Sequence, residues 1–279
     1  MEIRLAKSAG FCFGVKRALD IALKTAKSRN KVYMLGDIVH NEQVVKEIEK
    51  TGIKKVKALG NGRGKILLIR AHGACQEVYK NAARLGYKII DATCPMVKEI
   101  HKIAKYQENL GYKIIVIGDK LHDEVHGIVG QLKRKALVID TSKSLPLEEI
   151  KSIKKACIVV QSTQNLGEVF KTVEILKGYI KDLRFFNTIC RPTRIKQEEI
   201  KKMPLENDVM IIIGSKSSAN TKRLYQISRS LNKRSFWVNS KGGIKPAWFR
   251  NAENVGVTAG ASTPESTIKD ILNYISSLA

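Results

Sequence analysis

The chain has 279 residues, 43% of them hydrophobic and 27% charged, with 50 basic side chains against 26 acidic ones for a net charge of +24. That length supports two or three small domains with real cores. The opening MEIRLAKSAGFCFG lacks the basic start and apolar stretch of a signal peptide, and the apolar runs, such as 209–213, are strand-sized, so a cytoplasmic chain with no membrane span is expected. The excess charge does not read as nucleic-acid binding. Lysines are spread along helical faces (Lys98, Lys102, Lys105; Lys151, Lys154, Lys155), and aromatics, at 6%, are not interleaved with them as a base-stacking groove requires. A small polyanion or an acidic protein fits the surface better.

In chain order, apolar β-branched runs at 31–36, 65–70, 88–91, 113–118, 157–161, 208–214 and 255–258 alternate with helical patterns. The first helix is expected over 15–29, with Ala18, Ile21, Ala22 and Ala26 on one face; others follow Asn41, Gln76, Met96, Leu166 and Thr221. Runs without polar alternation predict strands covered on both faces, hence an α/β protein of mostly parallel sheets. No low-complexity linker separates them, so tight packing is expected.

A repeat runs through the chain three times. Cys12, Cys94 and Cys190 are each followed 24 residues later by a glycine (Gly36, Gly118, Gly214), and four residues beyond stand His40, His122 and Ser218. Such self-similarity predicts three structural units, 1–93, 94–189 and 190–279, each offering one thiol to a shared centre. A second set of strand ends, Ala71-His72-Gly73, Gln161-Ser162-Thr163 and Gly260-Ala261-Ser262, follows the cysteines in the same order. Ligands of open parallel sheets bind at such ends.

Three thiolates suit zinc, with a fourth ligand from His40, His72 or His122, or an iron–sulfur cluster with one iron left open; spacing does not separate the two. Cys75 and Cys157 fall outside the register and read as packing thiols. The histidines, with Ser218, Asn220 and Ser262, suit an anion, phosphate above all. Two His-x-Glu pairs place Glu42 and Glu124 as candidate general acids, and the residues alone do not choose between them.

The blocks SAGFCFGVKRAL, VHNEQVV, IRAHG, DATCPMVKEIH, GDKLHDEVHGIVGQ, VQSTQN, NTIC, GSKSSANTKRL and VGVTAGASTPE resemble, in order from Ala9 to Glu265, the 4-hydroxy-3-methylbut-2-enyl diphosphate reductase family. The resemblance implies a [4Fe-4S] cluster on Cys12, Cys94 and Cys190, within a cloverleaf of three α/β units. It implies a diphosphate substrate held by His40, His72, Ser218, Asn220 and Ser262, with His122 lining the pocket. It assigns the proton donor to Glu124 rather than Glu42, and a relay hydroxyl to Ser162 with Thr163 beside it. The implied reaction is reductive removal of the allylic hydroxyl, the last step of the methylerythritol phosphate route to isoprenoids, with electrons from ferredoxin or flavodoxin. This chain departs from the family pattern at Asp123, where a proline is usual, at Ser162, where threonine is usual, and at Ala219, where many relatives carry a second serine.

Overall fold

Short β-branched runs and the amphipathic segments between them settle into regular α/β alternation in the computed structural model, which describes residues 1–278. The chain opens with β1 (Glu2–Leu5) and α1 (Phe13–Ala26), followed by β2 (Lys31–Leu35), α2 (Glu42–Lys50), β3 (Lys54–Val56), β4 (Lys65–Ile69), α3 (Gln76–Arg84) and β5 (Lys88–Asp91). Next come α4 (Pro95–Asn109), β6 (Lys113–Ile117), α5 (Asp123–Val129), β7 (Leu137–Ile139), α6 (Leu147–Lys151), β8 (Lys155–Val160), α7 (Leu166–Lys177) and β9 (Asp182–Phe185). The last stretch holds α8 (Arg191–Glu206), β10 (Val209–Ile213), α9 (Ala219–Leu231), β11 (Ser235–Val238), β12 (Asn254–Ala259) and α10 (Glu265–Ser276).

The strands form three four-stranded sheets, ordered β3-β2-β4-β5, β7-β6-β8-β9 and β11-β10-β12-β1, and every pairing is parallel. The expected α/β class is therefore the one observed. Helices cover both faces of the central strands. In the second sheet Ile115, Ile117, Ile158 and Val160 pack with Val169, Val173 and Leu176 of α7. The alternate residues Ile114, Val116, Cys157 and Val159 pack with Ile100 and Ala104 of α4 and with Val125 and Ile128 of α5. Each such aliphatic side chain contributes about 1.5–3 kcal/mol on burial. Cys157 is one of these core residues, wholly buried, and burial pushes its thiol up to about 12.

One boundary needs correction. Residues 1–93 were expected to form one unit, yet β1 pairs with β12 (Glu2↔Asn254, Leu5↔Val257) and so belongs to the third sheet. The reason is cyclic. In each sheet the fourth strand leads into a repeat cysteine: β5 into Cys94, β9 into Cys190 and β1 into Cys12. The strand completing the last sheet is supplied by the beginning of the chain. By compactness the chain forms two units, one of residues 1–16, 39–45 and 191–279, the other of residues 17–38 and 46–190. The first holds the β11-β10-β12-β1 sheet and the second the other two sheets.

Candidate active site

Each repeat cysteine stands immediately before a helix and is fixed by an equivalent main-chain bond. The N–H of Cys12 donates to the carbonyl of Ala261 (3.1 Å), that of Cys94 to Ala71 (2.9 Å) and that of Cys190 to Ser162 (3.1 Å). The three acceptors lie two residues past the ends of β12, β4 and β8, so the next residues, Ser262, His72 and Thr163, are structural counterparts. The helices that follow, α1, α4 and α8, run 14, 15 and 16 residues, and all three thiols are partly exposed. Cys75 departs from the expected packing role: it is also partly exposed, at the start of α3.

In the larger unit the acid–base groups converge. His122 caps α5, its Nδ1 accepting from the Glu124 N–H at 3.2 Å, so a neutral His122 carries its proton on Nε2. The His72 and His122 rings meet edge to face, with centroids 5.6 Å apart. Glu124 is 2% exposed. Its Oε1 accepts from the Ser162 N–H at 2.6 Å and its Oε2 from the Ser162 hydroxyl at 2.8 Å. Burial raises its pKa above the ordinary carboxylate value, against the pull of those two bonds, and so favours the protonated acid. Thr163 is engaged elsewhere: its hydroxyl accepts from Gln161 Nε2 at 3.0 Å, and Gln161 Oε1 accepts from the Asp119 N–H at 2.8 Å. Of the two candidate hydroxyls, Ser162 is the one on the acid. Ser162 thereby touches Glu124 through its N–H and hydroxyl and Cys190 through its carbonyl.

His101, on α4, is a contributor that the sequence did not single out. Its ring packs against Gly73, which sits at φ +76°, and a Cβ there would fall 2.9 Å from His101 Cε1. Desolvation lowers its pKa to about 4, so at neutral pH it is an uncharged wedge behind the His72 loop. The signal was faint, since a histidine on an amphipathic helix looks like any half-buried polar residue.

The smaller unit carries the hydroxyl and amide groups. Ser218 caps α9, its oxygen accepting from the Thr221 N–H at 3.3 Å, and Ala219 and Asn220 open the helix. Asn220 is 4% exposed, and neither its Oδ1 nor its Nδ2 has a hydrogen-bond partner among the described residues. A buried amide left so costs roughly 1–3 kcal/mol, an arrangement expected of a group kept for a ligand. The Ser262 hydroxyl donates to the His40 carbonyl at 3.0 Å. Glu42 is not placed like Glu124. It is exposed, and its Oε1 accepts from the hydroxyls of Ser215 (2.7 Å) and Ser217 (3.3 Å), tying one loop to another.

A buried acid and paired imidazoles at strand ends in the larger unit, and in the smaller unit a buried amide without a partner among the described residues, are groups of an α/β enzyme. Among the described residues no helix is long and apolar enough to cross a membrane. The chain belongs to the LytB protein family, whose model matches residues 3–276. It is 39% identical over 275 residues to the 4-hydroxy-3-methylbut-2-enyl diphosphate reductase of Geobacter metallireducens, covering 99% of this chain and 97% of that one. With the enzyme of the same name from Aquifex aeolicus it shares 40% over 280 residues, 99% and 96% of the two chains. A solved structure of (E)-4-hydroxy-3-methyl-but-2-enyl diphosphate reductase, the terminal enzyme of the non-mevalonate pathway, superimposes with a TM-score of 0.72 at 38% identity, covering 99% of this chain and 100% of that one. The E-1-hydroxy-2-methyl-but-2-enyl-4-diphosphate reductase of Plasmodium falciparum gives 0.88 at 28% identity, over 97% of this chain and 86% of that one.

Proposed function

We propose that the chain reduces 4-hydroxy-3-methylbut-2-enyl diphosphate to isopentenyl and dimethylallyl diphosphates, releasing the allylic hydroxyl as water with two electrons and two protons. The observation that carries this reading is the Glu124–Ser162 pair, an acid whose pKa burial raises, bonded to a hydroxyl whose residue also anchors Cys190.

The thiol set fits the cofactor implied by the family. Three thiols before long helices, fixed by one repeated main-chain bond, form a soft donor set suited to iron–sulfur. Cys12, Cys94 and Cys190 would hold the [4Fe-4S] cluster, which when bound supplies electrons to the substrate, drawn from ferredoxin or flavodoxin. Such donors, acidic as a rule, suit a cytoplasmic chain with a net charge of +24.

The chain's own residues then divide the work. Asn220, Ser218, Ser262, His40 and His72 bind the diphosphate, and that binding, remote from the reacting carbon, holds the geometry. The Nε2–H of His122 would donate to the same anion. For the transfer the Glu124–Ser162 bond reverses: protonated Glu124 donates to the Ser162 oxygen, and the Ser162 hydroxyl turns its own proton to the leaving oxygen. The group that accepts from Ser162 leaves as water, and Glu124 is left ionised until solvent reprotonates it.

Anaerobic purification followed by turnover of the diphosphate with a reduced dye tests the reading. A brown, iron-loaded protein that releases both products is expected; a colourless, zinc-loaded one that does not turn over would overturn it. Changing each of the five cysteines to serine should abolish iron loading at Cys12, Cys94 and Cys190 and spare it at Cys75 and Cys157. Equal loss at Cys75 or Cys157 would break the ligand assignment.

A further inference from the structure

The geometry points to Arg70 as a positioning residue that, through Asp123, holds the His72 loop and the first turn of α5 in one register. Arg70 follows β4 directly, two residues before His72. Its guanidinium lies over Gly36, at φ +77°, where a Cβ would come within 2.7 Å of Nη1. From there Nη1 reaches Asp123 Oδ2 at 2.6 Å and Nε donates to the Gly73 carbonyl at 3.5 Å. One side chain thus spans the end of β2, the loop bearing His72 and the helix bearing Glu124, with His122 as its cap.

The two ends of α5 are held differently. Its far end is pinned to the first arm by three bonds: Gln76 N–H to the Gly130 carbonyl (3.0 Å), Gln76 Nε2 to the Gln131 carbonyl (3.1 Å) and Gln131 Nε2 to the Ala74 carbonyl (2.8 Å). Its near end meets the first arm at Asp123 and through the edge-to-face contact of its cap His122 with His72. Packing does not fill that region. A cavity of about 120 Å³ lies on one side of the ion pair, walled by Leu35, Leu68, Val78 and Gly127, and an open cleft of about 350 Å³ bordered by Asp37 and Lys55 lies on another. With space around it, the ion pair sets the separation of loop and helix together with the His72–His122 ring contact and the close approach of Gly127 to the His72 carbonyl. The pair is also shielded, at 20% and 29% side-chain exposure, which keeps it from the screening that empties most surface pairs of energy. Asp123 moreover sits at the positive end of α5, which holds its charge in place.

The assignment of what the bracket aligns rests on the proposed function, whereas the bracket itself does not. The test uses the anaerobically purified holoenzyme as wild type, Arg70→Met, Asp123→Asn and the double variant. Amide exchange should rise in both 71–74 and 122–126 in either single variant. Inorganic diphosphate affinity, read by calorimetry, should fall about tenfold, and kcat should fall as well because Glu124 shares the helix. The double variant should be no worse than Arg70→Met, since the two residues act as one, and Arg70→Lys should recover part of the loss. Unchanged exchange in both segments, or losses that add in the double variant, would overturn the bracket. Raised exchange with undiminished diphosphate affinity and kcat would overturn its positioning role. A wild type that binds no diphosphate would count against the proposed function and leave the exchange result standing.

Discussion

At the scale of the residue, the two His-x-Glu pairs show how burial separates side chains that look alike in sequence. Glu124 is enclosed and its proton is held tightly, while Glu42 is exposed and clips Ser215 and Ser217. Glu124→Gln should therefore keep its iron and its diphosphate affinity and lose about 10²–10⁴-fold in kcat. Glu42→Gln, which still offers an oxygen to the two serines, should turn over normally. Normal turnover in Glu124→Gln alongside an inactive Glu42→Gln would move the acid to the other pair. Stability gives a second reading of the same residue. Because the folded pKa of Glu124 is raised, the native state binds its proton more tightly than the unfolded chain does, and stability is lost as pH rises above the ordinary carboxylate value. Glu124→Gln lacks this loss. Thermal melting at pH 5 and pH 8 should show the variant gaining on wild type at the higher pH, and a constant gap would contradict the raised pKa.

Asn220 poses the converse case, a buried amide with nothing to bond among the described residues. Asn220→Ala should melt no lower than wild type, since no hydrogen bond is removed, yet bind inorganic diphosphate roughly ten- to a hundredfold more weakly. A large fall in melting temperature with unchanged affinity would make Asn220 structural. The site residues were legible largely because types recur in register. His101 and Arg70 were not, because their importance lies in which glycines they pack against across tens of residues, and no local pattern marks that.

At the scale of the element, the strands that were legible are the six central ones and a single edge, β5. Residues 65–70, 113–118 and 208–214 read as strands because both faces are apolar, and they are β4, β6 and β10. The strands missed, β1, β3, β7, β9 and β11, are edges or short pieces, and EIRL, KKV and DLRF are largely exposed or half-buried. An edge strand buries one neighbour's worth of surface and needs little hydrophobic pattern. The helices missed are α5, α6, α8 and α10, of which the longest is α8. Its hidden face carries Thr193, Lys196 and Gln197 alongside Ile200 and Met203, so no continuous apolar stripe announces it. That polar face does a specific job within its unit. Lys196 Nζ donates to the carbonyls of Ser8 and Ala259, and Glu199, one turn on, accepts from the N–H groups of Lys7 (2.6 Å) and Ser8 (3.1 Å). Together they fix the segment leading to Cys12. Lys196→Met should fill the space but take away the ammonium that bridges the Ser8 and Ala259 carbonyls, lowering stability by about 1–3 kcal/mol in denaturant unfolding. Iron content should fall with it, since Cys12 loses its anchored approach. Full iron content at unchanged stability would show that the lysine is dispensable.

At the scale of the whole molecule, the repeat predicted three sheets and three sheets are present, but the cut between first and third units was drawn in the wrong place. A linear reading assigns the first residues to the first unit. The sheet that needs a fourth strand is the last one, and β1 supplies it. The consequence belongs to biosynthesis. Glu2 pairs with Asn254, so the first strand leaves the ribosome long before its partner exists. At roughly 5–20 residues per second that wait is about 12–50 s. Throughout it the thiol of Cys12 has no Ala261 carbonyl to fix its backbone, whereas Cys94 and Cys190 find theirs within stretches already made. A nascent chain arrested before β12 would hold Cys94 and Cys190 by their main-chain bonds and leave Cys12 waiting for the strand that fixes it.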